Sequence, residues 1–203
     1  MPRQRTRAIA AAAAVGCLLL AWRTSAGSGH ASATKAALTP TTSISTSAPV
    51  DRSEASARRA TIGFLKLTER APDLGPKGAA DAQRAVSTTR AADALAGEVE
   101  SVLKGLLAQY PALKIRVAPI ATRQVADGDG WRVSVWYVET LTLGDVVVDD
   151  WRTVTYVLRW ERERWLIDAR TSTRGPMPAR STALAPTPAG EFEAALAGFT
   201  DGW

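Results

Sequence analysis

From Trp131 to Thr171 apolar and polar side chains alternate, and five of the chain's seven tryptophans stand there, between Trp131 and Trp165. A period of two sends successive residues to opposite faces of a strand. Trp131, Val133, Val135 and Tyr137 fall on one face, with Arg132, Ser134, Trp136 and Val138 on the other. Val154, Tyr156, Leu158 and Trp160 share a face of a later strand, opposite Thr153, Thr155, Val157 and Arg159. In the last strand Trp165, Ile167 and Ala169 alternate against Leu166, Asp168 and Arg170. Turn residues separate these runs. They are Asp127-Gly128-Asp129-Gly130, then Gly144-Asp145 and Asp149-Asp150, then the charged stretch Glu161 to Arg164. Val146 to Val148 read as a strand end or a wide loop between the middle pair. An earlier strand starts at Ile115, Val117 and Ile120. Short connections of this kind join antiparallel neighbours.

Ahead of the strands the period is 3.6. A helix is expected from Asp51 or Ser53, either of which can accept the free N–H groups of a first turn. Ile62, Phe64, Leu65 and Leu67 give it an apolar face, and Pro72, Gly75, Pro76 and Gly78 are expected to end it in a loop. A second helical region spans 79–108, with Leu95, Val99, Val102, Leu103 and Leu106 as its stripe. Ser87-Thr88-Thr89 is a candidate break, and Tyr110-Pro111 closes the region. Helices followed by hairpin-linked strands imply an α+β fold, with the helices on one face of a curved four-stranded antiparallel sheet. After Gly175-Pro176-Met177-Pro178 comes a Pro/Ala/Thr-rich linker at 179–190. Phe192, Ala195, Leu196 and Phe199 then make a short amphipathic stripe within 191–203. The globular domain is placed at 51–178.

The only cysteine is Cys17 and the only histidine is His30, both ahead of that domain. The domain therefore lacks the residues for a disulfide, a Cys/His zinc site or a His-assisted nucleophile. No cofactor or metal is expected, and no enzymatic activity. Asp127, Asp129, Asp149 and Asp150 lack the spacing of a calcium loop. Asp168, among Arg159 and Arg170, reads as an ion-pair partner or as an acid–base residue. Net charge is +5, but Arg3, Arg5 and Arg7 lie at the N-terminus and the other basic residues are interspersed with carboxylates. Direct nucleic-acid binding is not expected.

Those three arginines precede an uncharged run, residues 8–22, closed by Arg23. Basic then apolar is the pattern of an export signal. Fifteen helical residues rise about 22 Å, less than the roughly 30 Å hydrocarbon core, whereas Trp22-Arg23 resembles an interfacial anchor. Residues 1–23 are read as a signal peptide or a transmembrane helix contacting the membrane through 8–22. Ala14-Val15-Gly16-Cys17 is a weak lipidation match. Residues 24–50, rich in Ser, Thr, Ala and Gly, form a flexible linker. The domain is thus placed outside the cytoplasm, at the membrane or secreted.

Two groups of side chains are candidate sites. Trp136 and Val138, with Phe192 and Phe199, would form a partner interface if their face is open, and a core if helices or tail cover it. Trp131, Tyr137, Tyr156, Trp160 and Trp165 would either line a pocket in a concave sheet or fill it.

The strand block resembles exported proteins of actinobacterial conjugative elements. The resemblance rests on Val133-Ser134-Val135-Trp136, Trp151-Arg152-Thr153-Val154-Thr155-Tyr156-Val157-Leu158-Arg159-Trp160, Glu163-Arg164-Trp165-Leu166-Ile167, Gly175-Pro176-Met177-Pro178 and Ala197-Gly198-Phe199. Met177 stands where that family has threonine. Glu163-Arg164 stands where it has Gly-Asp, a change expected to matter little. Such proteins are similar to the periplasmic scaffold subunits of type IV secretion, the TcpC type included, whose domains have a cone-shaped nuclear-transport-factor-2-like fold. The resemblance implies a non-enzymatic, membrane-tethered scaffold of a conjugation or type-IV-like secretion apparatus, with apparatus subunits and further copies of itself as partners. The alternative is a secreted or lipid-anchored protein that binds a small ligand in an apolar pocket.

Overall fold

The structure, a computed structural model, describes residues 51–178 and 187–200. It is α+β: two helices, a four-stranded antiparallel sheet and a short C-terminal helix. The elements are α1 (Glu54–Ala85), α2 (Ala92–Gln109), β1 (Lys114–Asp127), β2 (Gly130–Leu143), β3 (Val146–Glu161), β4 (Arg164–Arg174) and α3 (Ala189–Ala195). The strands run in sequence order, β1-β2-β3-β4.

Helix α1 begins where Ser53 caps it, its side chain accepting from the Ser56 N–H at 3.2 Å. The loop expected at 72–78 is instead a kink. Two helical segments meet at Gly75, whose φ of 68° and ψ of 172° suit a residue without a Cβ. Pro76 then opens the second segment, where its missing N–H has no helical partner to lose. The chain leaves helix at Val86. There Ser87 bridges in parallel to Ile167, with Thr88 N–H donating to the Ile167 carbonyl at 2.8 Å and Ile167 N–H to that of Val86 at 2.9 Å.

All three strand connections are two-residue turns, pairing Asp127 with Gly130, Leu143 with Val146 and Glu161 with Arg164. Asp149-Asp150, read as part of a connection, lies inside β3. Its charges are met within the sheet: Thr140 Oγ1 donates to Asp149 at 2.7 Å, and Arg152 Nη1 to Asp150 at 2.9 Å. The last turn corrects another expectation. Arg162 and Glu163 both have positive φ, 53° and 59°, the conformation a twisted hairpin turn requires and glycine or asparagine normally supplies. The sequence change in this turn therefore does matter. Glu163→Gly is expected to stabilise the protein by roughly 1 kcal/mol, read as a higher urea midpoint.

Two bulges bend the sheet. One lies at Pro119/Ala121, which leaves Ile120 without a partner. The other lies at Val157/Leu158, where Asp168 is the extra residue of β4. The second bulge reverses the expected alternation. Beyond it Ala169 is exposed, while Arg170 and Ser172 join the inner face beside Tyr156 and Val154.

The core gathers Leu65, Leu103, Leu106, Val133, Val135, Val154, Leu158, Trp165 and Ile167. Trp165 Nε1 donates to Ser56 Oγ at 2.8 Å, the Val117 N–H donates to Glu69 Oε1 at 2.9 Å, and the Phe64 and Tyr156 ring centres are 6.3 Å apart. Among the described residues no helix is long and apolar enough to cross a membrane. That corrects the expected transmembrane helix; the run at 8–22 on which it was placed lies outside the described residues, as do 24–50 and 179–186.

Candidate functional site

Facing strand positions build the site. β2 continues its inner row from Val133 and Val135 to Tyr137, Glu139 and Leu141, all buried. β3 sets Asp150 opposite Glu139, Arg152 opposite Tyr137, and Val154 opposite Val135. After its bulge, β4 adds Arg170 and Ser172. Two hydrophobic walls face this polar floor, Phe64, Leu65 and Leu74 from α1 and Val99, Val102 and Leu103 from α2. Between them is a cavity in which the centre of a water-sized sphere can move through about 90 Å³. One water needs only about 10–15 Å³ on that measure, so there is space for several waters or a small organic molecule. Leu74 lines the cavity and is also 39% exposed, so the cavity reaches the surface there.

The floor carries charges that are almost wholly removed from solvent. Arg152 donates from Nη1 to Asp150 Oδ2 at 2.9 Å and from Nε to Ser172 Oγ at 3.1 Å. Arg174 Nε approaches Asp150 Oδ1 at 3.3 Å without a well-aligned hydrogen bond. Arg170 Nη2 is 4.0 Å from Glu98 Oε2 on α2. Burial raises the affinity of Glu98 for its proton, opposed by Arg170.

Glu139 is different. It is 5% exposed and lines the cavity, yet no hydrogen bond or ion pair joins it to a described residue; the nearby Arg152 is committed to Asp150 and Ser172. Burial pushes its carboxyl up to about 7, Arg152 opposing and Asp150 assisting. Burial likewise pushes the Tyr156 phenol up to about 12 and raises that of Tyr137 further, so both hold their protons at neutral pH.

Of the residues read as pocket candidates, Tyr137 and Tyr156 line this cavity. Trp131, Trp160 and Trp165 do not; they pack into the core, with Trp160 and Trp165 edge-to-face at 5.1 Å. The interface candidates lie elsewhere. Trp136 is buried on the outer sheet face, its ring 5.6 Å from that of Phe192 and its Nε1 donating to the Pro176 carbonyl at 3.0 Å. Val138 is half-buried opposite Trp151 on that same face. Phe199 lies 5.0 Å beneath the Arg123 guanidinium, and Thr200 pairs with Thr122. The tail thus covers the aromatic patch in cis. Asp168 accepts from Thr88 Oγ1 at 3.0 Å and pairs with Arg90, as an ion-pair partner rather than a free acid.

Glu139, Arg152, Ser172 and the wall residues were missed as site residues. A signal existed for the first two. Glu139 stands at the alternate position after Tyr137, and Arg152 two before Val154, so each continues an apolar row. Ser172 carried none, because the bulge decides its face.

No protein-family model matches the chain, and neither does any curated protein. The resemblance to conjugation scaffolds therefore stands on the strand motifs alone.

Proposed function

We propose that the domain is a non-enzymatic, extracytoplasmic binding module that encloses a small, mainly apolar molecule in the cavity between its helices and its sheet. The observation carrying this is the hollow itself. Packed interiors leave few voids larger than a water molecule, whereas here hydrophobic walls enclose space above a polar floor with one uncommitted carboxyl. Such a combination is the usual make-up of a small-molecule site. The two bulges support a sheet curled into a nuclear-transport-factor-2-like cone. Glu139 is also the titrating carboxyl an enzyme of this architecture would need. Its neighbours Asp150 and Arg152 are engaged with one another, which favours binding over proton transfer. Extracytoplasmic placement rests on the basic-then-apolar pattern of residues 3–23.

Calorimetric titration of the full-length protein with toluene is expected to show one saturable site. Ala71→Trp, at a half-buried lining position of α1, is expected to remove it. Failure of toluene to bind the folded wild-type protein overturns the proposal.

A second reading is a scaffold component of a conjugation or type-IV-like secretion apparatus. The specific observation favouring it is that the motifs carrying the resemblance occupy β2, β3, β4 and the segment folded back from Gly175. Apparatus subunits retained by the tagged full-length protein, together with loss of DNA transfer on gene deletion, would support it; unchanged transfer would remove it.

A further inference from the structure

We infer that the cavity selects an uncharged molecule with a hydrocarbon body and a terminal hydroxyl, and that Glu139 is the residue that recognises the hydroxyl. The inference rests on the reading of the cavity as a binding site and specifies what it takes.

The argument is one of polar groups left over. A buried polar group needs a partner; the arginines around the cavity floor each face a carboxylate, although Asp150 Oδ1 itself has no hydrogen bond. Arg152 is held by Asp150 and Ser172, Arg174 approaches Asp150, and Arg170 faces Glu98. Glu139, 5% exposed, makes no hydrogen bond to a described residue. Its oxygens are not among the wholly buried atoms that lack a partner, and it lines the cavity, so a polar group of a molecule held there can reach them.

Charge complementarity narrows the class. An anionic head would find the two arginines of the floor already engaged, Arg152 with Asp150 and Arg170 with Glu98, and would have to shed its water to enter. A cationic head would have to shed its water at a cost of several kcal/mol, beside Arg152 and Arg170. A hydroxyl avoids both. It can accept from the protonated carboxyl or donate to the ionised one, so it suits Glu139 in either state. The hydrocarbon body then lies against Phe64, Val99, Val102 and Leu103.

Four probes of matched size test this on the full-length protein: toluene, benzyl alcohol, benzoate and benzylamine, titrated calorimetrically at neutral pH. Wild type is expected to bind benzyl alcohol at least as tightly as toluene, although water favours the alcohol more, and to bind the two ions at least tenfold more weakly. In Glu139→Leu the affinity for benzyl alcohol relative to toluene is expected to fall at least tenfold. Glu139→Gln, which keeps hydrogen-bonding groups there, is expected to restore most of the preference. Toluene binding with an unchanged alcohol ratio in Glu139→Leu overturns the inference and leaves the binding module intact. Preference for benzylamine or benzoate overturns it in favour of a charged ligand. Absence of all binding removes the module reading as well.

Discussion

Arg152→Leu is expected to lower the unfolding free energy by about 3–5 kcal/mol near neutral pH. The guanidinium is 6% exposed and bonds to Asp150 and Ser172, with Glu139 and Tyr137 in its field. A leucine there leaves Asp150 with Arg174 alone, at the edge of hydrogen-bonding distance, and sets two carboxyls opposite each other on adjacent strands without the cation between them. The loss should shrink at pH 5, where Glu139 carries its proton with or without the guanidinium beside it. Arg152→Lys is expected to recover only part of it, since an ammonium cannot span both partners with a planar fork. Urea unfolding followed by tryptophan fluorescence, at pH 5 and pH 7, measures all of this. A loss below about 1 kcal/mol at neutral pH would mean that the pair behaves like a surface contact.

Glu139→Gln is expected to remove most of the fall in stability between pH 4.5 and 7. In the folded protein Glu139 keeps its proton to about 7, against an ordinary value of 4.5. Between those limits the folded state binds more protons than the unfolded one, so stability must decline as pH rises and level off above 7. The difference corresponds to about 3 kcal/mol. The groups around Glu139 determine its direction. Burial and Asp150 raise its affinity for a proton and Arg152 lowers it, while Tyr137 and Tyr156 stay neutral and Arg170 stands opposite Tyr156 on β4. Glu98, raised for the same reason, contributes a smaller slope of the same sign that the variant should retain. Stability curves that coincide for wild type and Glu139→Gln across pH 5–8 would show that the carboxyl titrates normally.

The sheet was readable because strand faces repeat every two residues, and the hairpin turns carried glycine and aspartate at two of three corners. What escaped were single-residue departures from that rhythm. Nothing in Ile120 or Asp168 marks either as the extra residue of a bulge, yet the bulge at Asp168 moves Arg170 and Ser172 to the inner face. Pro72 and Pro76 read as loop because proline breaks a continuing helix. Here the break is confined to Gly75, and Pro76 starts a new segment. The polar floor was legible only across strands. Glu139 and Asp150 are eleven positions apart and Tyr137 and Arg152 fifteen, meeting through the β2–β3 register. A single strand shows a charged residue continuing an apolar row, but not the counter-charge that lets it remain there.

The segment beyond β4 has a practical consequence for where this protein can be cut. Gly175 N–H donates to the Trp151 carbonyl, Pro176 accepts from the Trp136 indole, Met177 is buried and bonded to Thr187, and Phe192 packs edge-to-face with Trp136. The folding unit therefore ends at this roof rather than with the last strand. A truncation after Arg174 would bring the adjoining Trp136 and Trp151, 5.2 Å apart, to the surface of a sheet, the kind of apolar patch through which chains aggregate. Expression boundaries, fusion junctions and affinity tags belong beyond Thr200, where they leave that outer layer in place.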